Sequence, residues 1–112
     1  MSSLSTHVLD TAHGCPAAGV LVKLTRNGTT LFRGVTNADG RCPGMLGDEA
    51  LTAGSYRFTF EVADYFRKTG VELPDPPFFD RIVIDFAVSD PASHHHVPLL
   101  VSPFGYSTYR GS

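Results

Sequence analysis

Apolar and polar residues alternate with a period of two along much of this chain, the spacing a strand needs to turn one face toward a core. The clearest stretch is Gly19 to Arg26, where Val20, Val22 and Leu24 fall on one side and Leu21, Lys23 and Thr25 on the other. It predicts a half-buried strand. Leu4 to Asp10 (LSTHVLD) forms a first strand before it, and Gly14 and Pro16 interrupt any regular ladder in the loop Thr11 to Ala18. Asn27-Gly28 separates Gly19 to Arg26 from a further strand, Thr29 to Val35. That dipeptide between two alternating runs predicts a hairpin, because both central residues of its turn take positive φ.

Asn37-Ala38-Asp39-Gly40 reads as a second turn with Arg41 at its exit, leading into a loop that contains Cys42-Pro43-Gly44. From Gly54 to Val62, Tyr56, Phe58 and Phe60 alternate with Arg57, Thr59 and Glu61, which predicts a strand with an aromatic inner face. Ala63 to Thr69, stopped by Gly70, predicts one short helix. Three prolines make Leu73 to Phe79 a loop. Arg81 to Val88 is a core strand with Ile82, Ile84, Phe86 and Val88 on one face, and His94 to Ser102 is the next. Ser102-Pro103-Phe104 joins it to a final strand, Gly105 to Arg110. The expectation is an all-β sandwich or barrel of seven or eight strands with one short helix and no repeat.

A length of 112 residues suits a single domain spanning 1–112. With 42% hydrophobic and 18% charged residues the composition is that of a folded chain short of surface charge, a shortage that association between subunits relieves. A net charge of −2, with Lys and Arg scattered, offers no basic field, so neither nucleic acid nor an anionic membrane is an expected partner. Apolar runs such as Val97 to Val101 are too short to span a bilayer, and Met1 to Ser5 has neither region of a secretory signal, so a cytoplasmic location is expected. The two cysteines, Cys15 and Cys42, are expected as reduced thiols.

Five histidines include the run His94, His95 and His96. On a strand, His94 and His96 point to one face while His95 shares the other with Val97. Two chemistries need such a pair. A His-x-His with a third ligand, His7 or His13, holds zinc in some enzymes, although no acidic residue accompanies the pair here. Acid–base catalysis needs only one or two imidazoles near a polarising cation. Surface histidines with satisfied hydrogen bonds are the plain alternative. The chain closes on YSTYRGS, from Tyr106 to Ser112, which places a Tyr, an Arg and a carboxylate together directly after a strand. A solvated tail is the plain alternative there, but Ser107-Thr108-Tyr109 continues the alternation. Tyr65, Phe66, Phe78 and Phe79 are read as core and loop packing rather than a ligand patch.

Taken together, LSTHVLDTAHGCPA from Leu4 to Ala17, TNADGR from Thr36 to Arg41, and HHHVPLLVSPFGYSTYRGS from His94 to Ser112 resemble the 5-hydroxyisourate hydrolases, or transthyretin-related proteins, from end to end. The C-terminal YRGS is the most discriminating element. The resemblance implies a transthyretin-like two-sheet β-sandwich of about eight strands with one short helix. It further implies a homotetramer with elongated pockets between subunits, and neither metal nor cofactor. The implied reaction is metal-independent hydrolysis of 5-hydroxyisourate to 2-oxo-4-hydroxy-4-carboxy-5-ureidoimidazoline in urate degradation. The implied catalytic residues are His7, Arg41 and His96, and the substrate-binding residues are His7, Arg41, Tyr109 and Ser112.

The family usually has an aromatic or other residue between the two histidines before Val-Pro. Here it is His95, whose side chain alternation turns away from the pocket. In this reading one imidazole, His96 or His7, activates water, the other serves the leaving nitrogen, and Arg41 polarises the substrate. The main rival is a small-ligand carrier of the transthyretin type, since one fold hosts both functions. Imidazoles at positions 7 and 96 and a terminal YRGS favour the enzyme. A structural or adhesion sandwich is the third reading.

Overall fold

The computed structural model describes residues 4–111; expectations that fall on residues 1–3 and on Ser112 lie outside the described residues. Eight strands and one helix follow in the order β1 (Leu4–Asp10), β2 (Cys15–Pro16), β3 (Leu21–Arg26), β4 (Thr29–Val35), β5 (Gly54–Glu61), α1 (Val62–Lys68), β6 (Arg81–Val88), β7 (His95–Ser102) and β8 (Gly105–Thr108). They build two four-stranded sheets, β2-β1-β7-β8 and β4-β3-β5-β6. Inward side chains of both sheets form one buried cluster that includes Val8, Val22, Leu24, Phe58, Phe60, Ile82, Leu99 and Val101. Removing these apolar side chains from water is the dominant force that holds the sheets together.

Most of the predicted elements stand where the alternation puts them. Asn27 and Gly28 adopt φ of 50° and 80°, as their hairpin requires. Val20, Val22 and Leu24 are fully buried, and Tyr56, Phe58 and Phe60 turn inward. Several boundaries differ, the first being the strand expected from Gly19, which begins at Leu21. The loop after β1 contributes a two-residue ladder in which Asp10 pairs with Cys15 and Leu9 with Pro16, because the chain doubles back on β1 at once. Val62 opens the helix instead of closing β5. The seventh strand begins at His95, one residue after the expected start, and β8 stops at Thr108, two before the expected end. Tyr65 and Phe66 are core residues, and Phe78, although 69% exposed, packs on Phe79 and Phe104, the expected core and loop packing. Cys15 is exposed, Cys42 is buried, and both are free thiols.

Two arrangements matter for the site. The first is that β1 and β7 run parallel, with Ser5 opposite His96 and His7 opposite Pro98. Thr6 reinforces this pairing by donating its hydroxyl to the Val97 carbonyl at 2.6 Å in the core. The second is the anchorage of β1 by its last residue, the buried Asp10. Its Oδ1 accepts the backbone N–H groups of Ala12 and His13, and its Oδ2 accepts the Tyr65 hydroxyl at 2.7 Å and His13 Nδ1 at 2.6 Å. Burial alone would raise the Asp10 carboxyl, but the hydrogen bonds from Tyr65 and His13 outweigh it and hold it below its ordinary value. The same contact pushes the Tyr65 phenol far up, by burial first and then by the bond to Asp10. Helix and strand are thereby fixed to each other. No helix among the described residues is long and apolar enough to cross a membrane.

Candidate active site

Strand alternation divides β1 cleanly: Leu4, Thr6, Val8 and Asp10 are buried in the sandwich, whereas Ser5 and His7 lie half-buried on the outer face. In β7, His95 and Val97 turn inward and His96 outward. Because the two strands are neighbours in parallel register, His7 and His96 come to the same outer surface. His95 is buried, and its Nδ1–H donates to the Ser93 carbonyl at 3.0 Å, so the central member of the histidine run belongs to the core side.

Arg41 reaches this surface through the second turn. The Asn37 side chain holds that turn closed, its Oδ1 accepting the N–H groups of Asp39 at 2.9 Å and Arg41 at 3.1 Å. The Gly40 carbonyl accepts the Val8 N–H at 2.8 Å, and Arg41 forms an isolated antiparallel bridge with His7. Only glycine fits at position 40: φ is 75°, and a Cβ would stand 2.4 Å from the Val8 carbonyl oxygen. The Asp-Gly turn therefore seats the arginine against the first strand.

The C-terminal segment closes on His96. Gly111 bridges His96, donating its N–H to the His96 carbonyl at 2.8 Å. Its α-carbon lies so close to the imidazole that a Cβ would stand 2.5 Å from His96 Cδ2. A side chain there would displace the ring. Ser5 completes the group, with its hydroxyl 2.7 Å from His96 Nδ1 and 3.0 Å from His94 Nε2.

Electrostatics favour the neutral form of the His96 imidazole. Burial lowers the His96 imidazole below its ordinary value, and the positive charge of Arg41 and the proximity of His7 and His94 lower it further, against a smaller opposing hydrogen bond to the Ser5 backbone. At neutral pH its lone pair is available to take a proton.

The structure thus brings His7, Arg41 and His96 to one surface. Tyr109 stands elsewhere: it lines a cleft of about 200 Å³ at the sandwich edge with Ile84, Phe86, His95 and Val97, on the side opposite His96. Arg110 lines the same cleft and reaches the Ser93 hydroxyl at 3.4 Å. Ser112 lies outside the described residues. His13, a candidate third ligand in the zinc reading, is at the other end of β1 on Asp10. Among the described residues no three His, Cys, Asp or Glu side chains are grouped as a metal site. Sequence reasoning passed over Ser5, which only the β1–β7 register places against two histidines, and gave no reason for the glycine at 111.

A two-sheet sandwich with β1 paired to β7 and a cationic, imidazole-bearing outer face defines a transthyretin-like protein. The chain belongs to the HIUase/Transthyretin family, whose model matches residues 4–111. It is 51% identical to 5-hydroxyisourate hydrolase of Caulobacter vibrioides, with both chains covered in full. The solved structure of 5-hydroxyisourate hydrolase of Klebsiella pneumoniae superposes with a TM-score of 0.86 at 46% identity, again over the whole of both chains. Sea bream transthyretin in complex with thyroxine superposes with a TM-score of 0.84 at 30% identity, over 98% of this chain and 95% of that one.

Proposed function

We propose that this protein hydrolyses 5-hydroxyisourate, with His96 as the base, His7 as the partner imidazole and Arg41 as the polarising cation. The observation that carries the reading is the meeting of those three side chains on one outer face, in a chain similar over its full length to 5-hydroxyisourate hydrolases. His96, held neutral by burial and by Arg41, accepts a proton from water as the oxygen attacks a ring carbonyl. Negative charge then develops on the carbonyl oxygen, where a guanidinium with a planar fork of donors stabilises it. His7 protonates the nitrogen as the carbonyl–nitrogen bond breaks. These side chains perform the whole reaction, and no metal or cofactor takes part in it.

The same reading assigns a substrate contact to Ser112, treats residues 1–112 as one domain, places the protein in the cytoplasm and makes it a homotetramer, while Tyr109, in the cleft on the other side of the sheet, is not among its substrate contacts. An outer sheet face open to solvent becomes an enclosed pocket when a second subunit covers it, which supports the tetramer, and two-fold packing supplies such a cover twice over. The test is to oxidise urate freshly and follow loss of hydroxyisourate absorbance with and without the protein. A rate no faster than buffer would remove the hydrolase reading and favour the carrier, for which the likeness to a thyroxine-binding transthyretin is the supporting observation.

A further inference from the structure

The Ser5 hydroxyl lies between two imidazoles, 2.7 Å from His96 Nδ1 and 3.0 Å from His94 Nε2. We infer that Ser5 and His94 form a proton relay behind His96, with the hydroxyl as the link and the exposed His94 as the outlet to solvent. The inference deepens the hydrolase reading and rests on it. Parallel pairing makes the geometry: Ser5 is opposite His96, and His94 falls two residues earlier on the same face.

A hydroxyl has one proton to donate. If Ser5 gives it to His94 Nε2, it must accept from His96 Nδ1–H, and His96 Nε2 then carries the free lone pair a base requires. If Ser5 gives its proton to His96 Nδ1, it must accept from His94 Nε2–H, and His96 Nε2 carries a proton instead. When the hydroxyl proton lies between the two rings, the tautomer of His96 is therefore coupled through Ser5 to that of His94.

The relay follows from these two arrangements. In the first, Nε2 takes a proton from the attacking water and His96 becomes an imidazolium. Its Nδ1 proton passes to Ser5 Oγ, the hydroxyl proton passes to His94 Nε2, and His94 releases its Nδ1 proton to solvent. His96 is neutral again, now protonated on Nε2. When product departs, His94 gains a proton from solvent at Nδ1, its Nε2 proton passes to Ser5 Oγ, the hydroxyl proton passes to His96 Nδ1, and the resulting imidazolium releases its Nε2 proton to water. Within the relay every proton is accounted for, and His7, having given its proton to the leaving nitrogen, takes one back from solvent.

The surroundings give this drain a purpose. Among the described residues, the groups acting on His96 are Arg41 from the turn, His7 from β1 and His94 from its own side of the chain, and the Gly111 backbone lies over its ring. A second positive charge held beside Arg41 is costly, and moving it to the exposed His94 relieves the repulsion. Ser5 is in this sense a positioning residue, and His94 a residue acting through it.

Four variants and one spectrum test the relay. Ser5→Ala should lower kcat about 10- to 100-fold with KM within about twofold of the parent, and Ser5→Thr, which keeps the hydroxyl, should recover most of the loss. His94→Phe should lower kcat to a similar extent, and the Ser5→Ala/His94→Phe double variant should lose no more than either single variant. Free imidazole in the buffer should accelerate Ser5→Ala more than the parent. In ¹⁵N spectra of the substrate-free protein, the shifts of the two His96 ring nitrogens should change in Ser5→Ala and return in Ser5→Thr. Parent-like kcat in Ser5→Ala, multiplied losses in the double variant, or unchanged His96 ring shifts would each overturn the relay. Should the parent itself not hydrolyse 5-hydroxyisourate, the hydrolase reading fails, and the ring shifts still decide whether Ser5 sets the tautomer.

Discussion

At the scale of single residues, the site depends on charge that is close but not cancelled. Burial and the charge of Arg41 both act on His96, so it is kept neutral to lower pH than an ordinary imidazole. A base that must be unprotonated loses activity as pH falls through its own pKa, so the acid limb of kcat/KM should lie below the usual imidazole range. Replacing Arg41 with Gln removes one cause of the lowering, and that limb should move to higher pH as activity falls by about 100-fold or more. A limb that stays in place in Arg41→Gln would show that the guanidinium does not act on the base. Gly111→Ala should impair turnover with little change in stability, because the added methyl group meets the His96 ring rather than the core. Steady-state kinetics beside urea denaturation will separate the two effects.

Elements hold these residues in place, and they differ in how plainly the sequence declares them. The hairpin at Asn27-Gly28 and the aromatic face of β5 are local patterns, written in consecutive residues, and both are present as expected. The outward pairing of His94 with His96 and the inward turn of His95 followed from alternation alone. What alternation does not encode is which strand lies beside which. Ser5 meets His96 across a separation of 91 residues, so no window of sequence contains their contact. Gly111 on the imidazole face is hidden for the same reason.

The anchorage of β1 to α1 offers a pH test at this scale. The Asp10 carboxyl is held below its unfolded value, so its stabilisation is complete above about pH 4 and is lost as pH falls through the folded-state pKa. Unfolding free energy should therefore decline with acidification in the parent and less steeply in Asp10→Asn, as denaturant titrations at several pH values will show. Tyr65→Phe removes one donor from a buried carboxylate and should cost about 1–3 kcal/mol at pH 7.

For the whole molecule, β6 and β8 are edge strands without a further neighbour among the described residues, and they border one cleft. Exposed strand edges invite pairing with another copy, and the open face bearing His7 and His96 awaits a cover. Activity per chain should accordingly fall on dilution, in step with a decrease in assembly measured by analytical ultracentrifugation. Activity per chain that stays constant down to the monomer would place the complete site within one subunit.

The parallel zipper between β1 and β7 has one more consequence. A ribosome releases β1 long before it makes β7, so the nascent strand must wait with an unpaired flank until nearly all of the polypeptide has emerged. The β1–β7 ladder is completed last in biosynthesis, and a message truncated ahead of His95 lacks both the partner strand of β1 and His96.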